Sequence, residues 1–315
     1  GRIVNPISQL GQRSDQSYYW LWKNYATYTK SFGNHELTAT AGVEAQKGTF
    51  DSFTAFKVNL PNDVPTMNQG EVSNVLNTGS KSWNTLASQF ARVNYGYSDR
   101  YLLTATIRRD GSSRFGPNNR WGIFPSVSGA WRISNEDFMS GLTGVVSNLK
   151  LRAGWGKVGN QEIENYAFGS ALESTPSYFG SQVINNAYSN PDVQWEATSM
   201  TNVGLDVELF NGRVNLTVDA YNKVTDNLLL QVDLPANFGE EVEGPRANRG
   251  SMENKGIELG LTTVNIDAGR LKWTTTANFS VNRNEITDIG GSPLFRELYW
   301  YPGFETATMT NAGYP

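Results

Sequence analysis

Residues 202–220, "NVGLDVELFNGRVNLTVDA", alternate apolar and polar side chains on both sides of a short turn. Val203, Leu205, Val207 and Leu209 oppose Asn202, Gly204, Asp206 and Glu208; after "FNGR", Val214, Leu216, Val218 and Ala220 oppose Asn215, Thr217 and Asp219. A period of two places one set on each face of an extended chain, so the segment reads as a β-hairpin with one apolar and one strongly polar face. The pattern recurs. Leu271, Trp273, Ala277, Phe279 and Val281 share one parity, and Leu37, Ala39, Ala41, Val43 and Ala45 share another.

Composition narrows what such a sheet serves. The 315 residues carry a formal charge of -4, so no basic excess points to nucleic acid. Without cysteine, disulfide frameworks and thiolate metal sites are excluded, and the single histidine, His35, argues against a His-based triad or multi-His metal site. No metal, cofactor or enzymatic centre is therefore expected. No apolar run approaches the ~20 residues of a membrane helix. Aromatic residues reach 12% and glycines number 31. That combination fits a soluble all-β protein and equally an outer-membrane barrel, which hides its apolar residues in alternation.

The connections separate the two. Tight ones fall at 32–34, 97–100, 210–212 and 265–270, and long polar excursions at 48–81, 159–193 and 229–252. Short and long mostly alternate, as if every tight turn lay at one end of the sheet, which is the asymmetry of outer-membrane barrels. Two connections fit less well: 135–148 is long for its end and 112–120 short for its end. Tyr95, Tyr97, Tyr101, Phe210 and Trp273 flank tight turns, where amphipathic rings favour the headgroup level; cross-strand aromatic pairing is the simpler account. About ten strands are predicted, over 17–31, 35–47, 82–97, 101–111, 121–133, 148–158, 194–209, 213–228, 253–264 and 271–283.

Residues 110–134, "DGSSRFGPNNRWGIFPSVSGAWRIS", then form an outward connection and a returning strand. Ile123, Val127, Trp131 and Ile133 face outward, Ser126, Ser128 and Arg132 inward, and Pro125, lacking a ladder donor, predicts a bulge or break. Arg108, Arg109, Arg114 and Arg120 cluster around the connection as a donor-rich site for an anionic ligand, or as loop residues paired with carboxylates and carbonyls. "NEDFM" (135–139) suggests a short helix with Asn135 as cap. Trp195 suits stacking on a sugar or an interface belt. The aromatic, amide-rich loop containing Tyr178 suits contact with a sugar or with a lid protein. Glu240, Glu241 and Glu243 suit a calcium site or a solvated acidic loop, and His35 a wet interface.

The run "SQFARVNYGYSDRYLLTATIRRDGSSRFGPNNRWGIFPSVSGAWRISNEDFM", followed by "LKLRAGWGKVGNQEIENY", "VQWEATSMTNVGLDVELFNGRVNLTVDAYNKVTDNLLL", "MENKGIELGL" and "WTTTANFSVNRNEI", resembles the barrel of SusC/RagA-family TonB-dependent outer-membrane transporters. The resemblance implies an all-β, antiparallel transmembrane β-barrel. In that family 22 strands surround an N-terminal plug, beneath a SusD-like surface lipoprotein, and the TonB complex pulls on the plug to import oligosaccharides or oligopeptides through outer-membrane lipid. No plug or TonB-box-like segment is found here, so residues 1–315 are expected to be a middle-to-late part of the barrel. Arg114, Arg120, Tyr178 and Trp195 are the loop candidates for cargo contact. The alternative is a non-transporting, glycan-binding or adhesin-like surface β protein. The full-length protein is expected to require detergent for monodispersity in size-exclusion chromatography; stable behaviour in plain buffer would contradict the barrel.

Overall fold

A computed structural model describes residues 8–60, 66–68, 76–169, 171–177, 180–232, 244–290, 294–301, 304–310 and 312–313. Ten strands form one antiparallel sheet: β1 (Gln9–Phe32), β2 (His35–Val58), β3 (Leu76–Tyr97), β4 (Tyr101–Ser112), β5 (Trp121–Arg132), β6 (Val146–Asn160), β9 (Glu196–Leu209), β10 (Val214–Asp226), β13 (Ser251–Ala268) and β14 (Leu271–Asp288). They lie side by side in chain order, with β6 next to β9 and β10 next to β13. The remaining strands pair as separate hairpins: β7 (Ala171–Ser177) with β8 (Gly180–Ala187), β11 (Leu229–Gln231) with β12 (Arg246–Asn248), and β15 (Leu294–Tyr301) with β16 (Phe304–Thr310). β1 and β14 are the two edges and do not pair with each other, so the sheet is open.

All ten expected strands are present, but several run much farther from the tight turns. β1 and β2 are 24 residues each; β1 begins at Gln9 rather than at 17, and β2 and β3 extend into the stretch 48–81 read as loop. In these extensions apolar residues such as Phe50, Phe53 and Phe56 fall on both parities among polar ones, so the alternation that reveals a strand is lost there. The opposite correction applies at 265–270. Only Gly269 and Arg270 separate β13 from β14, and Asn265 is a bulge between Val264 and Ile266. The turns themselves follow from residue type. Ser98 and Asp99 take φ of 51° and 52°, and Phe210, Asn211 and Gly212 follow one another in the left-handed region, a conformation that matches the twist of a hairpin.

The register assigns the two faces. Tyr97, Tyr101 and Trp131 lie on one row, and their rings stack at centroid distances of 6.4 and 6.5 Å. Above them on the same face stand Leu103, Val127, Leu205, Val218, Leu259 and Phe279, and the large apolar side chains here are mostly exposed or half-buried. Tyr101 to Arg109 is nine residues, roughly 26 Å of strand at the usual rise, enough to cross a hydrocarbon layer with tilt. His35 sits in the aromatic row at the turn end, stacked on Phe32 at 4.9 Å and sharing a 2.7 Å hydrogen bond with the Tyr95 hydroxyl.

Pro125 interrupts one ladder only. It pairs in register with Ile107, but the pairing of β5 with β6 begins at Ser126 and Gly156 and leaves Trp121–Pro125 without partners on that side. The "NEDFM" stretch forms 3-10 turns (Ile133–Asn135 and Asp137–Leu142), and the expected cap is corrected. Asn135 Nδ2 donates to the Asp99 carbonyl at 3.1 Å, and Glu136 occupies the cap position without a side-chain cap bond.

Among the described residues, the buried apolar cluster lies at the loop end: Phe115, Phe124, Ile163, Val193 and Trp195. Phe115 and Trp195 are 5.1 Å apart, Phe124 meets Trp195 edge-on at 5.3 Å, and Trp195 Nε1 donates to the Arg120 carbonyl at 3.0 Å. Trp195→Ala should therefore cost the loop cluster about 3–5 kcal/mol, read as earlier proteolysis within 112–120 and 161–169 while the barrel resists. Trp273→Ala, whose ring is 56% exposed, should leave that cleavage pattern unchanged.

Candidate functional site

On the polar face, charges from neighbouring strands meet. Arg152 of β6 reaches across β9 to two carboxylates: Nε and Nη2 donate to Asp206 at 2.9 and 2.8 Å, and Nη2 also donates to Asp219 of β10 at 3.0 Å. Gly204 makes the span possible. A Cβ there would stand 2.6 Å from the Arg152 Nη2 and 2.4 Å from the Asp219 Oδ1. A second network joins β1 to β4. Arg108 donates to Asp110 at 2.7 Å and to Ser88 at 2.8 Å, and lies 3.6 Å from Glu44, which also faces Lys23 at 3.7 Å. The same face carries neutral pairs such as Thr27–Thr40, Thr104–Asn94 and Thr198–Thr225.

Past the Arg152 network the wall opens into a cavity of about 380 Å³ above Gly260, lined by Thr217, Asp219, Glu258, Asn278 and Ser280. Among the described residues the Glu258 carboxylate has no hydrogen-bond or ion-pair partner. Hydroxyl, amide and carboxylate groups converging on an open site offer several weak contacts to a polar molecule.

The four arginines of the outward connection do not form one site. Arg108 and Arg109 are adjacent on β4 and therefore face opposite sides. Arg108 belongs to the polar-face network, and Arg109 stacks on Trp121 with its guanidinium 4.2 Å from the ring centroid. Arg114 folds back into the loop, donating to the Gln161 carbonyl at 3.0 Å and to Asn165 Oδ1 at 3.2 Å, with Glu162 at 3.6 Å. The Arg120 Nε is buried with no partner among the described residues, and the Arg120 carbonyl receives the Trp195 indole. Trp195 itself is 9% exposed and enclosed between Phe115 and Phe124. Tyr178 and Glu240, Glu241 and Glu243 lie outside the described residues.

Two carboxylates outside the strands are held ionised. Hydrogen bonds from Arg246, beside its charge, keep Glu164 below the usual carboxylate range, and hydrogen bonds from Tyr101 and Trp131 with the Arg100 charge do the same for Glu136. Each folded-state pKa is depressed, so each contact contributes fully above the ordinary carboxylate pKa and is lost as pH falls through the lowered value. Sequence reading missed Arg152, Asp206 and Asp219 as a group. Their shared parity was visible, but the register that sets them side by side was not.

With this geometry in place, likeness to known proteins is informative. Residues 4–304 match the family described as TonB dependent receptor-like, beta-barrel. The TonB-dependent receptor P39 of Formosa agariphila is 38% identical over 290 residues, and TonB-dependent receptor SusC of Bacteroides thetaiotaomicron 34% over 310, covering 90% and 89% of this chain. The chain spans 28% of the length of each of these relatives. The RagAB peptide importer in its closed-closed state superimposes with a TM-score of 0.88 at 30% identity, over 98% of this chain and 34% of that one. An open ten-stranded sheet with an apolar outer and a charged inner face, matched over nearly its whole length, belongs to the TonB-dependent receptor β-barrel family: outer-membrane proteins of the SusC/RagA type, not enzymes.

Proposed function

We propose that residues 1–315 form part of the barrel wall of a TonB-dependent importer that brings nutrient oligomers, oligosaccharides or oligopeptides, across the outer membrane. The observation that carries this reading is the polar face, where Arg152 and Arg108 pair with carboxylates across strands and hydroxyls and amides are abundant. A wall of that kind holds a polar cargo through many weak contacts without trapping it. In this reading a SusD-like lipoprotein meets the outer loops, and the TonB complex acts through a plug supplied by the whole protein. The RagAB importer, described as a peptide importer, supports the peptide arm; the likeness to SusC supports the same kind of assembly.

Arg114, Arg120 and Trp195 then act as supports of the outer loop platform, and cargo selection is assigned to the loop 159–193, which includes Tyr178. Exchanging 159–193 in the full-length protein for the equivalent loop of a relative with different cargo should shift uptake of labelled oligomers toward the donor's preference. Unchanged uptake would place selection in the plug or the lipoprotein instead. Arg152→Leu leaves Asp206 and Asp219 facing each other without a cation. It should lower unfolding stability by about 1.5–3 kcal/mol, measured as a lower temperature for loss of the heat-resistant gel band. Retained stability would remove the network from the wall's support.

A further inference from the structure

The lipid-facing side of β1–β4 departs from the bulky apolar pattern seen elsewhere. Ala26, Ala41 and Ala91 are register partners and form one row of small side chains. The next row outward holds Asn24, Val43, Gln89 and Arg109, again partners across four strands. The small residues leave an open groove of about 740 Å³ whose outer end is rimmed by Asn24, Gln89 and Arg109. Three strand spacings set that rim at roughly 14 Å across.

Arg109 is the informative residue. Its neighbour Arg108, on the other face, has two carboxylates and a hydroxyl. Arg109 has none among the described residues; its guanidinium sits over the Trp121 ring, 4.2 Å from the centroid. Farther out on the same face, Lys47 also has no carboxylate partner among the described residues. A guanidinium at the margin of a hydrocarbon layer is stabilised by an anion, and its fork matches a phosphate. The short turns lie at the periplasmic end of such barrels, so this margin faces the outer leaflet.

We propose that the groove binds a phosphate-bearing, acylated lipid of the outer leaflet. An acyl chain lies along the Ala26–Ala41–Ala91 row, and the phosphate accepts hydrogen bonds from Arg109 with the amides of Gln89 and Asn24 beside it. The site is on the face away from the cargo path and does not depend on what is transported.

The test uses the full-length protein purified in detergent, with bis-phosphorylated lipid A as probe and native mass spectrometry as readout. The wild type should keep the lipid through detergent exchange, and Arg109→Gln should reduce retention about tenfold, the loss expected for one charge-assisted contact. Ala41→Phe, which fills the groove without touching the charge, should reduce it as well, and Arg109→Lys should restore part of it. The heat-resistant gel band of each variant verifies folding. Equal retention of dephosphorylated lipid A, or no change in Arg109→Gln, would overturn the proposal. Displacement of the lipid by millimolar inorganic phosphate would overturn it too, because the site would then be one for a free anion.

Discussion

Everything in this fold depends on the hydrogen-bond ladders that run strand to strand from β1 at one edge to β14 at the other. On a surface facing hydrocarbon no water can satisfy a backbone amide or carbonyl, so the strands must satisfy one another. Once they do, side chains on the outer face are free to be apolar and exposed, as Leu103, Ile123, Leu259 and Phe279 are. The sheet then needs no packed interior of its own, which accounts for the position of the buried apolar cluster at the loop end.

A gap in that ladder between β5 and β6 shows the same constraint. Beyond Pro125, β5 separates from β6, and the ring of Phe124 lies so close to Gly159 that a Cβ there would be 2.1 Å away. Trp195 and Phe115 close around it, and the Trp195 indole is satisfied by the Arg120 carbonyl. Where strand pairing ends, aromatic packing takes over. The "DGSSRFGPNNRW" connection thus packs over the end of the sheet, with Arg114 bonded to the Gln161 carbonyl and Asn165 and the Arg120 carbonyl bonded to Trp195.

Sequence made the membrane-spanning part of each strand legible because lipid on one side and a polar interior on the other enforce a period of two. It hid the outer extensions of β1, β2 and β3, where apolar and polar residues no longer alternate, as Phe50, Phe53 and Phe56 on both parities of β2 show. It also suggested one basic site from Arg108, Arg109, Arg114 and Arg120. Adjacency misled there, since neighbouring residues in a strand point to opposite faces. The reverse error hid Arg152, Asp206 and Asp219. They are separated by up to 67 positions and come together only through the register of three strands.

Those two errors have one origin, and it bears on how a conduit is built. A single strand fixes which face a residue occupies, whereas the neighbouring strands fix which charge it meets. Arg152 meets both Asp206 and Asp219 because Gly204 is small enough to let it cross β9. Arg109, one residue from Arg108 and its two carboxylates, faces a side where the protein supplies no anion among the described residues. The polar face pairs Arg108 and Arg152 within the chain, and the outer face leaves Arg109 to the membrane.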